Sequence, residues 1–333
     1  MRITILLITS ILCFSAFCCA GEKIKDNPLE DNELKPYNPE KAGVVIVESF
    51  DITDKIAFLE THWLGRAKVK TMYNLAEYNN YIYIRIRKTL YVFDKYSMQK
   101  QREIEINIPQ EYDFLPYSNP HYSYDSLAVT GNIAFMLFMY HHNPPYKVYL
   151  FIVDLDTGKA QYINEETLGI KFIDGHSNIM GYDKQKDVLW FRIVDTGRET
   201  VVKGVYYFYF RYDANTNSFT KIDEVVWPYE VNSTKDTKDT RRDAPEASLI
   251  ATSINGNESW NVYIYPQPRY SEEVFFVVDK RNMDLLTQPV GHINVEYLNT
   301  FSLPQSIIYD KPYIWIIIER DERIQMLKLL PNI

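Results

Sequence analysis

Residues 131–163 read GNIAFMLFMYHHNPPYKVYLFIVDLDTGKAQYI. Two runs of β-branched, aromatic and other apolar residues flank a Pro-containing segment. The second run ends at Asp154, passes a polar turn and resumes as a shorter run. Runs of this length and composition, bounded by Asn, Asp, Gly or Pro, have the signature of strands. Asp and Gly at such a turn let the chain hydrogen-bond its own backbone.

The same grammar recurs along the chain. LYVFDKYSMQKQREIEI (90–106), YFYFRYDANTNSFTKI (207–222) and VFFVVDKRNMDLLTQ (274–288) repeat the apolar strand, the aspartate and the polar turn. The marker residues Asp94, Asp154, Asp213 and Asp279 are 60, 59 and 66 residues apart. A further strand precedes each marker: NNYIYIRIR from Asn79, the run from Gly131, DVLWFRIV from Asp187 and WNVYIY from Trp260. Fainter strands precede these, as at Ser126 (SLAVT) and Ser248 (SLIATS). Helical periodicity over long windows is missing, so the chain is expected to be all-β. A long repeat of four antiparallel strands predicts a β-propeller, whose blades bury their faces against one another. The last repeat (SIIYD, YIWIIIER, RIQMLKLL) is one strand short, and GVVIVESF from Gly43 has no partners of its own. Pairing the two is expected to complete five blades and remove two exposed sheet edges. Six blades follow instead if Ile56 to Trp63 contributes further strands.

Residues 1–20 combine Arg2, an uncharged run from Ile3 to Phe17 and small residues at Cys18 and Ala20. That pattern predicts a secretory signal peptide, and hence an exported protein of the periplasm, cell envelope or extracellular space. No later window is long and apolar enough to predict a membrane span in the mature chain. All three cysteines, Cys13, Cys18 and Cys19, lie in this leader, so the domain is expected to fold without disulfides. Cys18 and Cys19 are lipidation candidates; the alternative is two small residues in an ordinary cleavage region. Residues 21–42 are expected as a polar tether, and residues 43–333 as the propeller. With 36 basic and 44 acidic side chains and a net charge of −8, no basic surface is available for nucleic acid.

In an up-and-down blade the turns alternate sides. The short Asp, Asn and Gly turns share one face; the long connections share the other, where Tyr, Pro and His concentrate. The candidate binding face comprises Tyr117, His121, Tyr122, His141, His142, Tyr146, Trp227, Tyr229, Tyr265, Arg269 and Tyr270. Pro-stiffened loops bearing aromatics present a large contact area at low ordering cost, which suits a protein or glycan partner. For any single tyrosine, packing of its loop onto the propeller is the leading explanation; it is their collection on one side that favours binding. His141 and His142, if extended, point to opposite faces, and no metal-binding spacing of histidines is present, so neither a metal nor a cofactor is expected. The DLDTG string at Asp154 lacks the spaced carboxylates of a calcium loop and is expected to be a turn. Residues 232–247 are a mixed-charge insertion expected to be solvated.

The repeated strand, aspartate and turn pattern resembles the β-propeller superfamily. The segment FLET (58–61), followed by NNYIYI and LYVFD, is loosely similar to exported bacterial propeller lipoproteins of the six-bladed, NHL-like kind. The resemblance implies an architecture and a cell-envelope setting; propellers carry many unrelated functions. The expectation is an exported, non-catalytic binding protein. The alternative is a secreted glycan-active hydrolase, because five-bladed propellers include glycosidases. Its carboxylate pair would come from Asp125, Asp174 and Glu246 in blade-to-blade connections near the channel mouth.

Overall fold

The apolar runs fold as strands in the order the repeat sets. A computed structural model of the chain describes residues 36–57, 61–64, 67–70, 73–115, 126–140, 147–172, 179–195, 204–228, 248–256, 258–264, 275–280, 292–294, 298, 306–320 and 323–332. After β1 (Val44–Asp51) comes a separate two-stranded ladder, β2 (Thr61–Leu64) and β3 (Ala67–Lys70). Sheet one is β4 (Asn74–Tyr78), β5 (Tyr81–Ile86), β6 (Thr89–Asp94) and β7 (Lys100–Glu105). Sheet two is β8 (Ser126–Thr130), β9 (Ile133–Tyr140), β10 (Lys147–Asp154) and β11 (Ala160–Ile163). Sheet three is β12 (Ile179–Asp183), β13 (Val188–Asp195), β14 (Gly204–Asp213) and β15 (Ser218–Pro228). Sheet four is β16 (Ser248–Asn255), β17 (Glu258–Ile264), β18 (Phe275–Lys280) and β19 (His292–Asn294). Sheet five contains β20 (Ile307–Asp310), β21 (Tyr313–Arg320) and β22 (Arg323–Pro331), with β1 as its outermost strand, paired antiparallel from Val44↔Pro331 to Asp51↔Gln325. The fold is all-β: antiparallel four-stranded sheets set in a ring, a β-propeller.

The first strands of the sheets line the axis, β4 beside β8, β8 beside β12, β12 beside β16, β16 beside β20 and β20 beside β4. They run the same way. Their starts meet through Leu75 N–H donating to Ser306 Oγ (2.9 Å) and Met180 N–H donating to Ser126 Oγ (3.2 Å). Their far ends meet where Gly256 N–H donates to Asp183 Oδ1 (3.1 Å). The propeller therefore has a turn face, carrying the short turns, and a loop face, where the chain leaves for the long connections.

Sheets converging on an axis must taper, and the residue pairs show how. Opposite a small residue on most of the axial strands stands an aromatic on the second strand: Ala76↔Tyr83, Ala128↔Phe135, Gly181↔Trp190 and Ser253↔Trp260. Sheet five departs from the rule with Ile308↔Trp315. All five aromatics are buried and face the following sheet. The tightest fit is Gly181, where a Cβ would fall 2.7 Å from Trp190 Cε2, so only glycine is accommodated without a shift.

Three of the four marker aspartates hold their turns as expected; the turn after Asp279 lies outside the described residues. Asp94 Oδ1 accepts from Tyr96 and Ser97 N–H, Asp154 Oδ1 from Asp156 and Thr157 N–H, and Asp213 Oδ1 from Asn215 N–H. The Thr157 hydroxyl on Asp154, the Ser97 hydroxyl on Asp94 and these N–H bonds hold the three carboxyls below the usual range. The DLDTG string is the second of these turns, with Gly158 at φ 69°. The end of the stretch read as a tether differs from expectation. Residues Pro39–Ala42 form one helical turn, with Ala42 fully buried. Tyr37 packs on the same core, its hydroxyl donating to Val44 O (3.2 Å) and accepting from Ile46 N–H (3.0 Å). An apolar ring and an alanine beside β1 are enough to dock this segment on the domain.

Candidate functional site: the axial channel and the loop face

The axial strands enclose a cavity of about 70 Å³ lined by backbone and side chains from Leu75–Glu77, Ser126–Val129, Ile179–Tyr182, Ala251–Ile254 and Ser306–Tyr309, with Trp190 reaching it over Gly181. Ligand pockets usually measure roughly 300–1,000 Å³, so the channel itself holds at most a very small molecule.

Its turn-face end is plugged by four charges. Lys95 Nζ meets Glu77 Oε1 at 3.1 Å and Asp310 Oδ2 at 2.6 Å; Lys184 Nζ meets Glu77 Oε2 at 3.0 Å and Asp310 Oδ1 at 2.7 Å. The set is neutral overall. Burial disfavours the charge on each lysine, but the hydrogen bond to Asp310 and the field of Glu77 outweigh it and raise both above the ordinary lysine value. For Asp310, burial likewise opposes ionisation and the two lysines overcome it, lowering its carboxyl. Two tyrosines flank the plug. Burial, and then a hydrogen bond to a carboxylate, drive both hydroxyls far up: Tyr182 bonds Asp187, and Tyr309 bonds Glu258. Both remain neutral donors.

The loop-face end is polar in a different way. Asn74 Oδ1 accepts from Arg85 Nε at 2.8 Å, and the Arg85 guanidinium lies 4.4 Å from the centre of the Phe138 ring. At the outer part of this face an aromatic ladder borders the long connections. Phe114 meets Tyr140 edge-on (5.1 Å between ring centres), and Tyr112, Tyr149 and Tyr162 lie within 5.0–6.0 Å of one another. Burial raises the Tyr149 and Tyr162 hydroxyls, while Phe114 remains 43% exposed.

The gap between sheets three and four differs from the rest. Trp190 and Ile254 belong to its small apolar cluster. Strand alternation then points Arg192 into the same gap from β13, and Thr252, Ser259 and Asn261 into it from sheet four, whose Trp260 and Val262 face sheet five. Thr252, Ser259 and Asn261 are buried and bond one another. Trp190 Nε1 and Arg192 Nε and Nη1 are buried and have no hydrogen-bond partner. At the turn-face end of this gap Asp183, fully buried, accepts through Oδ1 from three N–H groups, of Gln185, Lys186 and Gly256; its Oδ2 accepts from none.

Of the binding residues expected from the sequence, Tyr117, His121, Tyr122, His141, His142, Tyr146, Tyr229, Tyr265, Arg269 and Tyr270 lie outside the described residues, as do Cys18, Cys19, Asp125, Asp174 and Glu246. Trp227 is placed by its main chain, near the end of β15 and opposite Val205. The aromatic ladder and Arg192 were missed. An arginine inside the otherwise apolar string DVLWFRIV is the signal that could have found the latter.

No protein-family model matches the chain, and no curated protein sequence does. Solved structures resemble it at low identity. They include the glutaminyl cyclase of Myxococcus xanthus (10% identity over 86% of this chain and 97% of that one, TM-score 0.37). A glycosyl hydrolase from Bacteroides ovatus is 9% identical (89% and 96% covered, TM-score 0.45). An exo-β-1,3-galactanase from Phanerochaete chrysosporium is 8% identical (84% and 64% covered, TM-score 0.43). Likenesses this distant carry no argument about activity.

Proposed function

We propose that the protein is an exported, non-catalytic binding module of the cell envelope. It is a five-bladed propeller, sealed by β1 in the last blade, that recognises a protein or glycan partner with its loop face. The observation that carries this reading is the aromatic ladder of Tyr112, Phe114, Tyr140, Tyr149 and Tyr162. It stands where the segments bearing Tyr117, Tyr122 and Tyr146 leave the sheets. Aromatic rings held against one another offer area with little entropy left to lose. The channel supports the same choice of surface, because its interior is small and its inward carboxylate, Glu77, is held by two lysines. An export leader and a lipid-modified Cys18 or Cys19 fit this setting, and mass analysis of the mature amino terminus tests both.

The test of function is capture from the native envelope and on a glycan array, comparing the parent with Phe114→Ala, Tyr146→Ala and Tyr270→Ala. Loss of a partner in these variants at unchanged melting temperature supports the loop face; undiminished capture by all three rejects it. Glycan hydrolysis by the parent that Asp125→Asn, Asp174→Asn or Glu246→Gln abolishes would replace the binding reading with the hydrolase.

A further inference from the structure

We infer that the gap between sheets three and four contains an oxyanion-binding site in which the Arg192 guanidinium is the principal donor and the Trp190 indole N–H is the second. This site is separate from the aromatic loop face and does not depend on that reading.

Buried polar groups in folded proteins are nearly always hydrogen-bonded, and a buried donor left alone demands a reason. Arg192 Nε and Nη1 are buried without a partner. Two residues away on the same face of β13, Trp190 is fully buried and its Nε1 also donates to nothing. Two strand steps separate the residues by about 6–7 Å, so both donors can serve one ligand. Trp190 has this position because Gly181 stands opposite it, and the indole reaches the wall of the axial cavity.

The comparison with sheet one sharpens the argument. Arg85 stands opposite the first residue of its axial strand, Asn74, as Arg192 stands opposite Ile179. Arg85 Nε is bound by the Asn74 amide, whereas Ile179 offers Arg192 nothing. The facing wall, with Thr252, Ser259 and Asn261, is polar enough to accept the solvated rim of a small ligand. A guanidinium presents paired N–H groups that match the two oxygens of a carboxylate, phosphate or sulfate. The ligand class is therefore a small oxyanion, or a molecule carrying one.

The test titrates the full chain with acetate, glucuronate, phosphate and sulfate at constant ionic strength, and with glucose as the neutral control. It reads the melting temperature and the indole N–H resonance of Trp190 by NMR. The expected result is a saturable response to at least one oxyanion and none to glucose, with a shift of the Trp190 resonance. The oxyanion that responds identifies the headgroup. Arg192→Gln should abolish the response and Arg192→Lys should weaken affinity at least about tenfold, because lysine lacks the paired donors. Arg85→Gln should leave it intact. No saturable response in the parent overturns the proposal, as does an equal response in a folded Arg192→Gln chain. If Arg192→Gln does not fold, Trp190→Phe decides: unchanged affinity counts against the second donor, and an unmoved indole resonance in the titrated parent overturns the site.

Discussion

The gap between sheets one and two and the gap between sheets three and four are built from the same strand positions, and each takes in one arginine, Arg85 or Arg192, in different company. In the first, Tyr83, Leu90, Phe138, Phe151 and many aliphatic side chains form a large apolar core, and Arg85 beside it is bonded by Asn74 and covered by the Phe138 ring. In the second, six buried apolar residues share the space with an arginine, a threonine, a serine and an asparagine. Repetition of strands therefore does not impose repetition of chemistry. Each sheet supplies one wall to each neighbouring gap, so two or three substitutions on facing strands can convert a sealing surface into a polar one and leave the ladders untouched.

The largest expected effect comes from emptying the apolar gap. Phe151→Ala should cost about 3–5 kcal/mol in denaturant unfolding, and Ile254→Ala in the polar gap should fall near the lower end of the ~2–5 kcal/mol range for aliphatic truncation. Equal losses would erase the contrast. Next is Glu77→Gln, which leaves Lys95 and Lys184 each short of a partner. Removing one member of a buried ion pair costs about 3–5 kcal/mol, and the exposure of Lys184, 37% of its side chain, reduces the expected loss to about 2–3 kcal/mol. Gly181→Ala should cost about 1–3 kcal/mol through overpacking against Trp190. Trp190→Leu should relieve that strain, and a double-mutant cycle with additive losses would refute the close fit.

The strand order, the turns and the pairing of β1 with β22 were legible because each rests on local pattern. An apolar run ending in Asp94, Asp154 or Asp213 fixes a strand, a turn and the strand that follows. The docking of Tyr37 and Ala42 was not legible, since both sit among polar residues and pack on a core assembled from β1 and the last two sheets. The polar gap was hidden for a related reason. Whether Arg192 faces solvent, its own sheet or Asn261 depends on which sheets become neighbours around the ring, and no window of sequence holds that information. The expected aromatic face was inferred, Trp227 apart, from residues outside the described ones; the ladder beside it contains Tyr140, Tyr149 and Tyr162, which the sequence assigns only to strands.

The smallest effect is in pH. Asp310 is held below its ordinary value of 3.8 in the folded chain, so its contribution to stability is complete above that value and is lost as pH falls through the lowered one. Lys95 and Lys184 are held above 10.5; their contribution is complete below 10.5 and is lost as pH rises past the folded value. Melting temperature should be level from about pH 5 to 9 and fall on either side, with Asp310→Asn flattening the acid limb. An acid limb that is unchanged in this variant would separate the plug from the pH response.

Lys184 comes from sheet three, while Glu77 and Asp310 come from sheets one and five, on the far side of the axis. Neighbouring sheets are already joined by their shared cores, but this lysine spans the diameter. It acts as a strut against ovalisation: squeezing the ring along one direction must stretch or shear two ion pairs at the hub. The turn face should accordingly be the stiff end of the molecule.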